Sequence, residues 1–133
     1  MVLLEISCNL SYISGWGQYK VGKSGPPSSI LKQAQLEIVS QQSCTDLNTR
    51  HLGIPITNKM VCGGWHDNEI DSGCHGDSGG PFVCKNALGV WELQGAVSWG
   101  SGVCDAKQAY TVFSNVFKFK PWIEQFTSEE YDE

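Results

Sequence analysis

A chain of 133 residues with a net charge of −5 and an isoelectric point near 5.1 has room for one domain and a sizeable core. It lacks the basic surface that attraction to nucleic acid or an anionic membrane requires, so neither is expected as a partner. With 41% hydrophobic against 17% charged residues, 15 glycines and five tryptophans, it does not read as disordered but as a compact, turn-rich β fold.

The first ten residues have no basic start, break their apolar run at Glu5 and offer no small-residue cleavage site, so they make a poor signal peptide. No stretch is long enough to span a membrane. Six cysteines in so short a chain point to an oxidising compartment, and a chain suited to disulfides but without an export signal reads as a piece of something longer. Residues 1–10 are therefore expected to be an atypical extension, with Asn9-Leu10-Ser11 fitting an N-glycosylation sequon at its frayed end.

From there the chain reads as strands. Gln33-Ala34-Gln35-Leu36-Glu37-Ile38 alternates polar and apolar with period two, and Trp91, Leu93, Val97 and Trp99 share one face while Glu92, Gln94 and Ser98 share the other. Residues 12–16, 59–63, 81–84 and 110–114 are further strand candidates, separated by turn-formers such as Gly25-Pro26-Pro27 and Asn86-Ala87-Leu88-Gly89. Six short strands predict an all-β fold, a single six-stranded antiparallel barrel. Near the end Phe119, Trp122, Ile123 and Phe126 recur at helical spacing with Pro121 placed in a first turn, which predicts one amphipathic α-helix. The barrel and helix are expected to occupy residues 11–127, and residues 128–133 to be a solvated acidic tail.

The cysteines at 8, 44, 62, 74, 84 and 104 are too widely spaced for the usual zinc-ligand pairs, so no metal is expected and disulfides are favoured, with 15 connectivities open. Between Cys74 and Cys84 lies Gly76-Asp77-Ser78-Gly79-Gly80-Pro81. A serine hydroxyl is a weak nucleophile, and an enzyme using it must expose it, remove its proton and stabilise the oxyanion formed on attack. Glycines on both sides serve exposure and let the N–H groups of Gly76 and Ser78 converge on one point. A bare glycine-rich surface turn is the plain alternative, but six residues in this order with a cysteine on each side are far more specific.

This stretch resembles the nucleophile loop of the chymotrypsin-like (trypsin-like) serine proteases, whose triad is also a general template for acyl transfer. Tyr12-Ile13-Ser14-Gly15-Trp16-Gly17 resembles the opening strand of that family's second barrel, and Val97-Ser98-Trp99-Gly100 its substrate-binding strand. Thr111-Val112-Phe113 and Pro121-Trp122-Ile123 are similar to its last strand and helix. The resemblance covers nearly the whole chain and implies the second half of a chymotrypsin-like double barrel.

It further implies that Ser78 is the nucleophile, that the Gly76 and Ser78 amides form the oxyanion hole, and that Asp77 accepts a salt bridge from a newly cleaved N-terminus. Ser72 and Gly73 fall at the base of the specificity pocket, with His75 on its rim, Gly100 on its wall and Thr111 at its back, while Ser98 and Trp99 lie on the strand that binds substrate backbone. Asp71 lies one residue away from the position where trypsin-like enzymes carry an aspartate, so a neutral pocket taking a medium or large apolar residue is expected. Tyr110 occupies a position associated with sodium in some relatives, although a packed strand aromatic is the simpler reading. No cofactor is implied.

The resemblance selects Cys44 with Cys62 and Cys74 with Cys104. Cys84 is left with Cys8, which reaches it if the incoming segment bulges or loops; otherwise both thiols stay free. In the family the triad histidine and aspartate belong to a first barrel, and His51, His66 and His75 do not replace them, the first two falling in expected loops and the third too near Ser78 in sequence. The chain is thus expected to be a secreted serine endopeptidase's C-terminal barrel, nearly inactive alone, whose partners are a peptide or protein substrate and the missing N-terminal barrel. A non-catalytic protease-like binding module is the alternative.

Overall fold

The computed structural model describes residues 8, 10–19, 25–65 and 72–127; Asn9, His66, Asp71 and the acidic tail lie outside them. Six antiparallel strands close a barrel: β1 (Ser11–Gly15), β2 (Lys32–Val39), β3 (Met60–Trp65), β4 (Pro81–Lys85), β5 (Trp91–Trp99) and β6 (Thr111–Asn115), in the spatial order β1-β2-β3-β6-β5-β4. Closure leaves no free sheet edge, which suits a small all-β domain.

The barrel is filled by Ile13, Leu36, Phe82, Val97 and Phe113, with the Phe82 and Phe113 rings stacked 4.2 Å apart. A second cluster, Cys44, Cys62 and Val112 packed by Val39, Ile56, Met60, Trp99 and Tyr110, sits beneath a helical run. That run comprises α1 (Gln41–Cys44), a π-helical turn (Thr45–Thr49) and α2 (Arg50–Leu52). It was not expected, and it places His51 in α2 rather than in a loop. Ser40 caps it, its Oγ accepting the Ser43 N–H at 3.1 Å, and the Cys44–Cys62 cystine, Cα atoms 6.3 Å apart, ties it to β3.

Two expectations about side-chain placement are corrected. The shared face of Trp91, Leu93, Val97 and Trp99 does not survive, because the β4–β5 register shifts at Phe82/Val83 and the β5–β6 register shifts between Val97 and Trp99. Each irregularity reverses which side a residue faces, so Val97 is buried while Trp91 and Leu93 are about half exposed. The terminal helix α3 (Val116–Thr127) starts earlier than expected, with Asn115 Oδ1 accepting the Lys118 N–H at 3.3 Å, so Pro121 lies inside the helix rather than in its first turn.

Cys8 reaches Cys84, their Cα atoms 5.8 Å apart. The reason is that Leu10 O accepts the Lys85 N–H at 3.0 Å and Ser11 pairs with Cys84, so the chain entering β1 runs alongside β4. The third cystine, Cys74–Cys104, has Cα atoms 5.3 Å apart. No helix of the described residues is long and apolar enough to cross a membrane.

Candidate active site

The turn carrying Ser78 is fastened at both ends. Asp77 N–H donates to Cys74 O at 3.0 Å and Gly80 N–H to Asp77 O at 2.9 Å, closing two successive tight turns. Beyond Ser78 the loop locks onto β5, with Gly79 N–H donating to Val97 O at 2.8 Å and Val97 N–H to Gly80 O at 2.9 Å. Gly76 and Gly79 adopt φ of 97° and 79°, a region that side-chain-bearing residues enter only at a cost. Ser78 stands exposed between them, and its Oγ has no hydrogen-bond partner among the described residues.

The peptide ahead of Gly76 has a defined direction. His75 O accepts the Gln18 N–H at 2.9 Å, and in a trans peptide the next N–H points the opposite way. The Gly76 and Ser78 amides find no acceptor among the described residues, leaving both donors available to a ligand, as an oxyanion hole requires.

The Asp77 carboxylate is seated against the Gly15-Trp16-Gly17 segment. Its Oδ1 accepts the Gly17 N–H at 2.8 Å and its Oδ2 the Cys74 N–H at 3.0 Å. A Cβ on Gly15 or Gly17 would overlap the carboxylate, which gives the Gly15-Trp16-Gly17 segment a steric purpose sixty residues away in sequence. Two backbone donors orient the side chain and leave acceptor capacity for a further group.

Beside Ser78 is a cavity of about 190 Å³, below the roughly 300–1,000 Å³ of drug-sized sites and suited to a single side chain. Gly73, His75, Ser98, Trp99, Gly100 and Thr111 all line it together with Ser78. Thr111 is buried, its Oγ1 accepting the Gly73 N–H at 2.9 Å, and among the described residues no Asp, Glu, Lys or Arg lines the cavity. The β5 bulge leaves Ser98 without a partner on β6, and the Cys74–Cys104 cystine spans the wall. His75 Nε2 donates to Gly102 O at 3.0 Å, which ties the ring to another residue of the cavity lining.

Ser72 is placed differently. Its Oγ donates to Cys104 O at 3.4 Å, and it lines a second cavity, shared with Asp77, Gly17 and Gln18, instead of the first. His51 is exposed on α2. Gln18 and Asn48 carry no local signature in the sequence, because their contacts join segments far apart in the chain.

The family model described as Trypsin matches residues 9–123. The chain is 40% identical over 116 residues to transmembrane protease serine 9 of Rattus norvegicus, covering 87% of this chain and 10% of that protein. It is 41% identical over 118 residues to atrial natriuretic peptide-converting enzyme of Mus musculus, covering 86% of this chain and 10% of the relative. The chain thus spans about a tenth of the length of the curated relatives it matches.

Proposed function

The chain belongs to the trypsin family of serine proteases, and from that premise we propose that it supplies the nucleophilic half of an extracellular endopeptidase's active site. Ser78 Oγ attacks a peptide carbonyl, the Gly76 and Ser78 N–H groups receive the oxyanion, and a histidine held by an aspartate on a separate barrel takes the serine proton. The observation that carries this reading is an exposed serine beside two loop-held amides, of Gly76 and Ser78, that find no acceptor among the described residues, the first of them oriented by the hydrogen bond from Gln18 N–H to His75 O.

The side chain before the scissile bond enters the cavity walled by Gly73, Gly100 and Thr111. With no Asp or Glu among the described residues that line it to pair a guanidinium, it favours medium or large apolar residues over Lys and Arg. Asp77 awaits a cationic N-terminus created by cleavage, for which the second cavity supplies the space. Three cystines suit the extracellular setting.

With His75 Nε2 engaged by Gly102 O and His51 exposed on α2, the base is assigned to another barrel and the chain by itself is expected to be nearly inactive. That same observation favours the second reading, a protease-like module that binds peptides without cleaving them. An organophosphonate probe separates the two. Slow labelling of Ser78 in the chain alone, made fast by a barrel carrying histidine and aspartate, supports the enzyme; labelling that stays slow with both supports the binding module.

A further inference from the structure

Asn48 holds the back of the specificity cavity from outside it, and we propose that it is a positioning residue for that pocket, acting through Tyr110 and Thr111. This role rests on the proposed use of the cavity to receive the substrate side chain.

The helical run over residues 41–52 has a polar sequence that gives no reason to bury an asparagine. Yet the π-helical turn Thr45–Thr49 rotates Asn48 inward until it is fully buried. Isolated π turns are rare and concentrate at functional sites, and asparagine is mostly an exposed residue. The side-chain amide spends both of its ends on one residue. Nδ2 donates to Tyr110 O at 3.1 Å and Oδ1 accepts the Tyr110 N–H at 2.8 Å. Asn48 therefore does for Tyr110 what a neighbouring strand does inside a ladder, at the point where β6 is about to begin.

The next residue along the chain gives the contact its consequence. Thr111 turns into the barrel, is buried, lines the cavity and accepts the Gly73 N–H through Oγ1 at 2.9 Å. The Tyr110 ring lies 5.3 Å from the Trp65 ring, so the residue is held through its side chain as well as through its backbone contacts with Asn48. An unbroken path runs from the Asn48 amide through the Tyr110 peptide to the Thr111 side chain and Gly73. Asn48 itself lines neither cavity.

The test uses the 133-residue chain and indole as the probe, followed by nuclear magnetic resonance titration. Indole is expected to shift the Gly73 and Thr111 amides. Asn48→Asp keeps the acceptor for the Tyr110 N–H but sets an oxygen against Tyr110 O, and should weaken indole binding about tenfold. Thr111→Val should weaken it as well, and the double variant should bind no more weakly than Thr111→Val alone. Unchanged affinity in Asn48→Asp, or strictly additive losses, would overturn the role of Asn48 while leaving the pocket intact. If indole produces no shift in the unmodified chain, the pocket reading itself fails and the proposal with it. Should Asn48→Asp not fold, the unmodified chain still decides: the Asn48 side-chain amide must shift when Gly73 and Thr111 do, and a silent Asn48 amide overturns the proposal.

Discussion

The carbonyl of His75 accepts the N–H of Gln18 at 2.9 Å, joining the segment that follows the first barrel strand to the loop that presents Ser78. This bond turns the His75–Gly76 peptide so that the Gly76 N–H faces away from Gln18, where it finds no acceptor among the described residues; the proposed oxyanion hole rests on that orientation. The direction of the Gly76 N–H is thus set by a contact between distant segments as well as by the glycines around Ser78.

Gly76→Ala tests that orientation. At φ 97° a Cβ is strained, and it would also come 3.2 Å from Gly17 Cα. The substitution should cost about 1–3 kcal/mol in urea denaturation if the peptide holds its direction. If the peptide flips to relieve the strain, stability should be spared and organophosphonate labelling in the two-barrel enzyme should fall by about a hundredfold or more. No change in either measurement would show that the peptide is not set as described.

Asp77→Asn probes the anchor beneath the loop. The amide still accepts the Gly17 N–H but now opposes a donor to the Cys74 N–H, which Oδ2 accepts at 3.0 Å. A loss of about 1.5–3 kcal/mol is expected from a hydrogen bond to a charged group, read as a lower urea midpoint with unchanged slope. Equal midpoints would mean that the carboxylate does not brace the turn.

The proposed function makes the walls of the cavity the determinant of the residue accepted before the scissile bond. In a complete two-barrel enzyme, matched substrates ending in Leu or Phe should be cleaved with higher kcat/KM than one ending in Arg, because none of the described residues lining the cavity pairs a guanidinium. A preference for Arg would sink the neutral-pocket reading.

Regular alternation made β2 readable as a strand with Leu36 in the core, although Ile38, expected on the same face, is left exposed near the strand's end. The same rule failed on β5, where two register shifts break the period, and it could not find the helical run over residues 41–52, whose polar sequence is folded over by the Cys44–Cys62 cystine and the buried Asn48. Pro121 misled because the helix start is set by Asn115, upstream of the apolar repeat. At the site, the glycines flanking Ser78 are a local signal. The seating of Asp77 against Gly17 and the turning of Ser72 toward Cys104 are long-range, and no nearby residue announces them.

Whether Ser78 is a prepared nucleophile whose base comes from another barrel is decided by the turnover of peptide by the pure, monodisperse 133-residue chain, with Ser78→Ala beside it. Loss of triad partners lowers rates by orders of magnitude, so turnover far below the common range of about 1–1,000 s⁻¹ is predicted, indistinguishable or nearly so from Ser78→Ala. Cleavage at ordinary protease rates that disappears in Ser78→Ala would refute the assignment of the base to another barrel.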